Sequence, residues 1–307
     1  TFCEAVQSVW VIHFLTPLAE NAWYSISLGK FDEYMYPFYK QSLKDGMTRE
    51  TAKKILHNMY ELLNSYADGA CLLNIGPTYN ELSELIIECQ KDFAMPAPIL
   101  GARVDKNTPE RICNSLIDEK LFSMGQPTFY GEKSCINALV EKGLSEKKAR
   151  GFSNNSCMGI SIPGNEFNSM WGCVFSVSSA LETAMNCGKM LNSEDILVPD
   201  ISVPHNIYEL FENFEKCVKY LLGICVKSYE KRVEISEKTL PDPFVSLLTP
   251  GCIEQHCDRI SDAKYPHVTF ECMGLVNVSD GLYALDQLVF HDKTSTIDAI
   301  TAAVTIT

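Results

Sequence analysis

The sequence predicts an α/β fold whose strands are mostly parallel. Long segments with helical apolar spacing alternate with short, dense apolar runs, the pattern of helices packed over buried strands. With 46% hydrophobic and 21% charged residues, the chain has enough apolar material for a large core. No internal repeat, low-complexity tract or linker interrupts the 307 residues, so one domain covering 1–307 is the simplest organisation.

The elements follow in order. Phe2, Ala5, Val6, Val9, Trp10, His13 and Phe14 share one face of an opening helix. Thr48 is placed to cap a helix over 50–66, with Ala52, Ile55, Leu56, Met59, Leu62 and Leu63 on one side. Asn80 to Gln90 gives another helix. Met95-Pro96-Ala97-Pro98-Ile99-Leu100 leads into a short strand whose end carries Arg103. Thr108-Pro109-Glu110 supplies a capping hydroxyl, a first-turn proline and an acid at the positive end of a helix running to about Phe122. Strand-like runs follow near 127–130 and 152–162, with an amphipathic helix from Ser145 to Arg150 before the second. A helix covers about 175–187 and stops at Gly188, and a long one runs from Ile207 to about Ser236. The last third reads as strands around 243–248 and 267–271 and a helix from Asp280 to Leu288. Ile297, Ile300 and Val304 are still periodic where the sequence stops at Thr307. Natural termini taper into polar residues, so the chain is expected to be a piece of a longer protein, incomplete at both ends.

The formal net charge of -13 argues against a nucleic-acid or anionic-membrane partner, because a polyanion would be repelled. No apolar run reaches membrane-span length, and Thr1-Phe2-Cys3-Glu4 does not open a signal peptide. The 13 cysteines are odd in number and spread evenly, which favours a reducing compartment over a disulfide framework. No C-x-x-C occurs; Cys252 and Cys257, with His256 between them, lack a second cluster at zinc spacing. Most of the thiols are expected to act as small buried hydrophobes. A cytoplasmic protein that binds no metal follows.

One segment stands out for chemistry: Ser153-Asn154-Asn155-Ser156-Cys157-Met158-Gly159-Ile160-Ser161-Ile162-Pro163-Gly164. A cysteine sits in a tight loop between a helix and a Pro-Gly turn, and such loops present reactive groups. A buried thiol in an ordinary turn fits the same residues.

Several segments, in order and in register, resemble the catalytic domain of glycyl radical enzymes of the pyruvate formate-lyase-like kind. Glu4-Ala5-Val6-Gln7 is similar to that family's "EAxQ" helix. Ser27-Leu28-Gly29-Lys30-Phe31-Asp32-Glu33-Tyr34 and Pro37-Phe38-Tyr39 resemble "S-x-G-R-x-D-Q-Y…P-x-Y", with Lys30 for the usual Arg and Glu33 for the usual Gln. Arg103 to Glu110 is similar to "R-x-H-x-x-T-P-E". Gly125-Gln126-Pro127 and the run from Gly143 to Arg150 match the approach to the cysteine loop, and Met185-Asn186-Cys187-Gly188 resembles "L-N-N-G". Ser246 to Glu254 and Asn277 to Ala284 resemble "S-x-x-T-x-G-C-x-E" and "V-A-D-S-L-A-A".

The resemblance implies a portion of a ten-stranded α/β barrel, two five-stranded half-barrels surrounded by helices. It implies that Cys157 becomes a thiyl radical that takes hydrogen from a small organic substrate. The radical would be stored on a C-terminal "R-V-x-G-[FYW]" glycine motif and installed by a radical-SAM activase, with no bound cofactor in the chain. An anaerobic cytoplasm and a possible homodimer are implied as well. The Arg-Val pairs here, Arg103-Val104 and Arg232-Val233, are not followed by that glycine. A missing C-terminal radical domain explains this; a separate radical-bearing protein or an inactive relative are the other readings.

The loop also departs from the eliminating members of the family, which carry Cys-x-Glu. Gly159 stands where that glutamate would be, and Ser156 where pyruvate formate-lyase has a second cysteine. Carbon–carbon chemistry, decarboxylation or radical addition by a lyase or transferase, is therefore expected. A lyase or dehydratase with a base from elsewhere is the alternative. Met158, Ile160, Ile162, Met170 and Trp171 would line an apolar pocket, and His256, with Glu254 and His267, would approach from the other side. Arg103 and Arg150 are expected to cap a helix end or pair with an acid rather than bind substrate.

Overall fold

A computed structural model of the chain describes residues 1–20, 26–65, 71–155, 159–164, 168–191, 193, 195–259 and 267–306. The chain divides into two compact units, Thr1–Phe167 with Pro241–Tyr265 and Asn168–Leu240 with Pro266–Thr307.

The first unit opens with α1 (Phe2–Glu20). Its Phe2 and Val6 are buried, and the Phe2 ring meets Tyr39 edge-on at 5.4 Å between centroids. β1 (Ser27–Lys30) runs directly into α2 (Phe31–Tyr34) and α3 (Tyr36–Lys44). α4 (Arg49–Ser65) buries Ala52, Leu56, Met59 and Leu63, the stripe its spacing predicts. β2 (Leu72–Ile75) precedes α5 (Glu81–Phe93), which Asn80 and Ser83 start with a reciprocal capping box. β3 (Ile99–Val104) follows.

The single helix expected from Thr108 to Phe122 is two, α6 (Glu110–Leu116) and α7 (Glu119–Ser123). Asp118 divides them, because its carboxylate accepts the Lys120 N–H and caps a new helix. Thr108 does not cap α6; its hydroxyl accepts the Asp105 N–H in the preceding turn. β4 (Thr128–Gly131), α8 (Glu132–Glu141) and α9 (Glu146–Ala149) lead to β5 (Ser153–Asn155) and β6 (Gly159–Ser161).

β1 to β4 form a four-stranded parallel sheet in sequence order. Asn74 pairs with Gly101, Gly101 with Thr128, and Arg103 with Tyr130. Partners in register point to the same side, and side chains alternate along each strand. Leu73, Ile75, Leu100 and Ala102 therefore share one face, fully buried with Leu56 of α4 and Leu82, Leu85 and Ile86 of α5. Asn74, Gly101, Arg103 and Tyr130 share the other.

In the second unit, β7 (Asn168–Ser176) is followed by α10 (Val177–Met185) and α11 (Ile207–Thr239). The strand takes residues through Ser176 that were expected to begin the helix, and the Ser176 hydroxyl caps α10 by accepting the Ser179 N–H. Gly188 is fixed as glycine: its φ is +84°, and a Cβ there would lie 2.0 Å from the Val198 carbonyl oxygen.

The chain returns to the first unit for α12 (Pro243–Leu248) and α13 (Cys252–Gln255). The strand expected at 243–248 is thus a helix. Pro243 sits in its first turn, where the missing N–H is not needed, and Leu247 and Leu248 are exposed rather than buried in a sheet. The second unit ends with β8 (His267–Met273), α14 (Leu275–Leu285), a π-helical turn at Asp286–His291 and α15 (Ile297–Ile306). α14 begins five residues before the Asp280 start expected from the sequence (280 − 275 = 5). β7 and β8 pair in parallel, and Phe175, Leu181, Leu210, Cys217, Val278 and Leu285 centre the core of this unit. No described helix is long and apolar enough to cross a membrane.

Candidate active site

Cys157 and Met158 lie outside the described residues, but the strands on either side of them are defined. β5 and β6 pair antiparallel, with Ser153 opposite Ser161, Asn154 opposite Ile160 and Asn155 opposite Gly159. The 152–162 run expected as strand is therefore a hairpin whose two arms flank Ser156-Cys157-Met158.

This hairpin is seated on the polar face of the parallel sheet. Asn154 is buried, and its Oδ1 accepts a hydrogen bond from the Ser27 hydroxyl of β1 at 2.8 Å. A Cβ on Gly101 of β3 would come within 2.8 Å of the Asn154 Nδ2. Because β2 stands between β1 and β3, the Asn154 carboxamide lies across β2. Only glycine at 101 allows that approach.

Arg103, on the same face, holds the base of the hairpin. Its Nε and Nη2 donate to the two carboxylate oxygens of Glu132 at 2.9 and 2.8 Å. Nη1 donates to the Phe152 carbonyl at 2.6 Å and Nη2 to the Arg150 carbonyl at 2.9 Å. The guanidinium also stacks on the Phe152 ring, 3.8 Å from its centroid. A planar fork of donors suits this bidentate, buried geometry, which lysine would not reproduce. Arg103 pairs with an acid, as its sequence context suggests, and the exposed Arg150 pairs with Glu146 at 2.5 Å.

Two carboxamides beneath the hairpin are left with hydrogen-bonding capacity. Asn74 is fully buried, and neither its Oδ1 nor its Nδ2 meets a partner among the described residues. The Asn154 Nδ2 is in the same condition. Leaving such a group unpaired costs about 1–3 kcal/mol. The sequence reading passed over Asn74. Its signal was a lone amide inside the apolar run Leu72-Leu73-Asn74-Ile75.

Asp32, quoted from the sequence only as part of the Ser27–Tyr34 motif, has a defined structural role. It lies at the start of α2 and accepts the Gly76 N–H at 2.9 Å and the Ser83 hydroxyl at 2.6 Å, joining the end of β2 to α5. Burial pushes its carboxyl up to about 6, against the pull of those two donors.

Ile160 is half-buried and packs against the cluster of Tyr130, Ile136, Leu139, Phe152 and Ile162. Trp171 stands in β7 of the second unit, and its side chain lies outside the described residues, as does that of His267 in β8. His256 is exposed and ends α13 with a φ of +52°. Glu254 is exposed beside it. The nearby link to the hairpin is Pro250, whose Cδ lies 3.6 Å from a Cβ built on Gly164. Cys252 is buried while His256 is exposed, and no group of three His, Cys, Asp or Glu among the described residues is placed to hold a metal ion.

The α/β architecture is shared with solved glycyl radical enzymes, on which the chain superposes with TM-scores of 0.83–0.89. The chain belongs to the pyruvate formate lyase-like family, whose sequence profile matches residues 1–69 and 67–306. It is similar to the isethionate sulfite-lyase of Bilophila wadsworthia (strain 3_1_6), at 27% identity over 97% of this chain and 40% of the relative. The Roseburia inulinivorans structure reported for 1,2-propanediol dehydration superposes with a TM-score of 0.89 and 26% identity, covering 99% of this chain and 39% of that one. A glycyl radical enzyme from Archaeoglobus fulgidus gives a TM-score of 0.88 at 24% identity, covering 100% of this chain and 42% of that one. The chain thus spans about 40% of the length of the curated relative it matches.

Proposed function

We propose that residues 1–307 are a portion of the catalytic domain of a glycyl radical enzyme and that Cys157 is its hydrogen-abstracting thiol. The observation that carries this is the position of Cys157 between the two arms of a hairpin held by Arg103, Glu132, Asn154 and Ser27. A glycyl radical on a C-terminal segment, installed by a radical-SAM activase, supplies the unpaired electron. The Cys157 S–H bond would then break homolytically, its hydrogen atom passing to the glycyl α-carbon and the unpaired electron staying on the sulfur. The sulfur takes a hydrogen atom from a substrate carbon and re-forms S–H, and the product radical takes that atom back at the end of turnover. Water and oxygen must be kept out while this happens.

The substrate is a small organic molecule. Gly159 and Ser156 deprive the loop of the adjacent carboxylate and the second sulfur, which favours carbon–carbon chemistry, decarboxylation or radical addition. Met158 and Ile160 contribute apolar contact, Asn74 and Asn154 offer amides to a polar substituent, and His256 is the candidate proton carrier of the α13 segment. A second reading, a lyase or dehydratase whose base lies elsewhere, is favoured by what the relatives are named for: sulfite-lyase activity and propanediol dehydration. The same proposal implies an anaerobic cytoplasm.

The test uses the full-length protein with its activase. A glycyl doublet in electron paramagnetic resonance is expected for both the wild type and Cys157→Ala, with turnover in the wild type alone. Turnover by Cys157→Ala would place the thiol elsewhere, and no doublet in either would remove the radical reading. Carbon dioxide release from arylacetates, or adducts with fumarate, would separate carbon–carbon chemistry from dehydration of diols.

A further inference from the structure

The polar face of the β1–β4 sheet carries hydrogen-bonding groups that fastening the hairpin does not use. Asn74 lies on β2, between β1 and β3, and is fully buried. Neither its Oδ1 nor its Nδ2 meets a partner among the described residues. Asn154 of β5 comes down beside it, since Cα atoms of β5 and β2 approach within 8 Å. The Asn154 Oδ1 is engaged, accepting from the Ser27 hydroxyl at 2.8 Å and the Ser153 hydroxyl at 3.3 Å. Its Nδ2 lies 2.8 Å from a Cβ built on Gly101, the residue in register with Asn74. Paired strands run about 4.8 Å apart, so the two amides are neighbours. The Asn154 Nδ2 is also unpaired among the described residues.

The chemistry of these groups selects what they can hold. Asn74 offers one acceptor oxygen and two N–H donors, and the Asn154 Nδ2 adds further N–H donors; all are neutral. The cation on this face, Arg103, is committed to Glu132 and to the carbonyls of Arg150 and Phe152. An anionic group would set its charge against the Asn74 Oδ1 without a cation to offset it. A hydroxyl fits, because it donates to Oδ1 and accepts from an amide N–H at once. We propose that Asn74, with the Asn154 Nδ2, is a subsite that binds a hydroxyl group of the substrate. This rests on the proposed function, in which the hairpin arm containing Asn154 leads to the abstracting thiol of Cys157. It narrows the substrate to a hydroxyl-bearing one and makes Asn74 a specificity residue, because a buried amide left unpaired rejects an analogue without the hydroxyl.

The experiment compares full-length wild type with Asn74→Val and Asn74→Thr, two side chains of one shape that differ by a methyl or a hydroxyl. In urea unfolding before activation, Asn74→Val should be at least as stable as wild type, because the fold makes no hydrogen bond to this amide. After activation, the enzymes are given ring-hydroxylated phenylacetates, phenylacetate and ethylene glycol. Turnover should be confined to hydroxyl-bearing compounds. Asn74→Val should raise their KM at least about tenfold, the worth of a lost hydrogen bond, with the glycyl doublet intact and kcat less affected. Asn74→Thr should recover part of that loss. A destabilised Asn74→Val would show that the amide serves the fold and would overturn the proposal. Equal turnover of phenylacetate, an unchanged KM in Asn74→Val, or no turnover of any compound despite a doublet would overturn it as well. Absence of the doublet in wild type would instead strike the radical reading, and the unfolding comparison would still decide for or against Asn74.

Discussion

The two faces of the β1–β4 sheet are built from opposite materials. On one, Leu73, Ile75, Leu100 and Ala102 are fully buried in a continuous apolar core. On the other stand Asn74, Gly101 and Arg103, equally buried but polar or without a side chain, and the Asn74 amide meets no partner among the described residues. Parallel sheets covered on both sides usually read as unbroken apolar runs. The departure is confined to the face that receives the hairpin carrying Cys157. One face is made for folding, and the other is made to hold a loop.

Substitutions can break or sharpen this contrast. The largest effect is expected from Arg103→Met, which leaves Glu132 buried without its cation and should cost about 3–5 kcal/mol in urea unfolding. Adding Glu132→Leu should recover most of that loss, because the unpaired carboxylate is the main penalty. A single variant as stable as wild type would show that the polar face is not a clamp. On the apolar face, Leu100→Ala should cost about 2–5 kcal/mol through the cavity it leaves, without selective loosening of the hairpin.

Asp32 joins the end of β2 to α5 and should make stability depend on pH. Below its ordinary value of 3.8, folded and unfolded chains both hold the proton. Between 3.8 and about 6 the unfolded chain releases it and the folded chain does not, so stability falls with rising pH and levels off above that window. The fall should approach about 3 kcal/mol at most, and Asp32→Asn should flatten it when unfolding is followed across the same range. The smallest effect belongs to the surface. Lys53 bridges Glu88 at 2.8 Å and Asp92 at 2.5 Å, yet Lys53→Ala should cost only about 0.2–1 kcal/mol.

Much of the fold was legible in the sequence, because α4, α5 and α11 carry apolar stripes or capping residues long enough to read. The four-residue strands β1 and β2 are too short to show a period. At 243–248 the run Phe244-Val245 reads as strand, whereas Pro243 in the first turn is a helix signal. Asp118 acted as a cap where periodicity suggested a continuous helix. Of the candidate site, the loop around Cys157 and the pairing of Arg103 with an acid were legible from the motifs and residue types, while the antiparallel pairing of β5 with β6 was not, since the 152–162 run reads as one strand. Nor were the roles of Asn74 and Asp32, which come from register and from contacts across the fold. The residue most clearly marked by sequence, Cys157, lies outside the described residues, so its role rests on what its flanking strands are fastened to.

Hydrogen exchange on Glu132→Gln protein tests that fastening most directly. Loss of the carboxylate charge weakens the hold of Arg103 on residues 150 and 152. The expected result is exchange at least about tenfold faster at the amides of 153–155 and 159–161, a local opening. The amides of β2 and β3 should keep their protection. Equal loosening of both regions, or no change in the hairpin, would contradict the division of labour between the two faces.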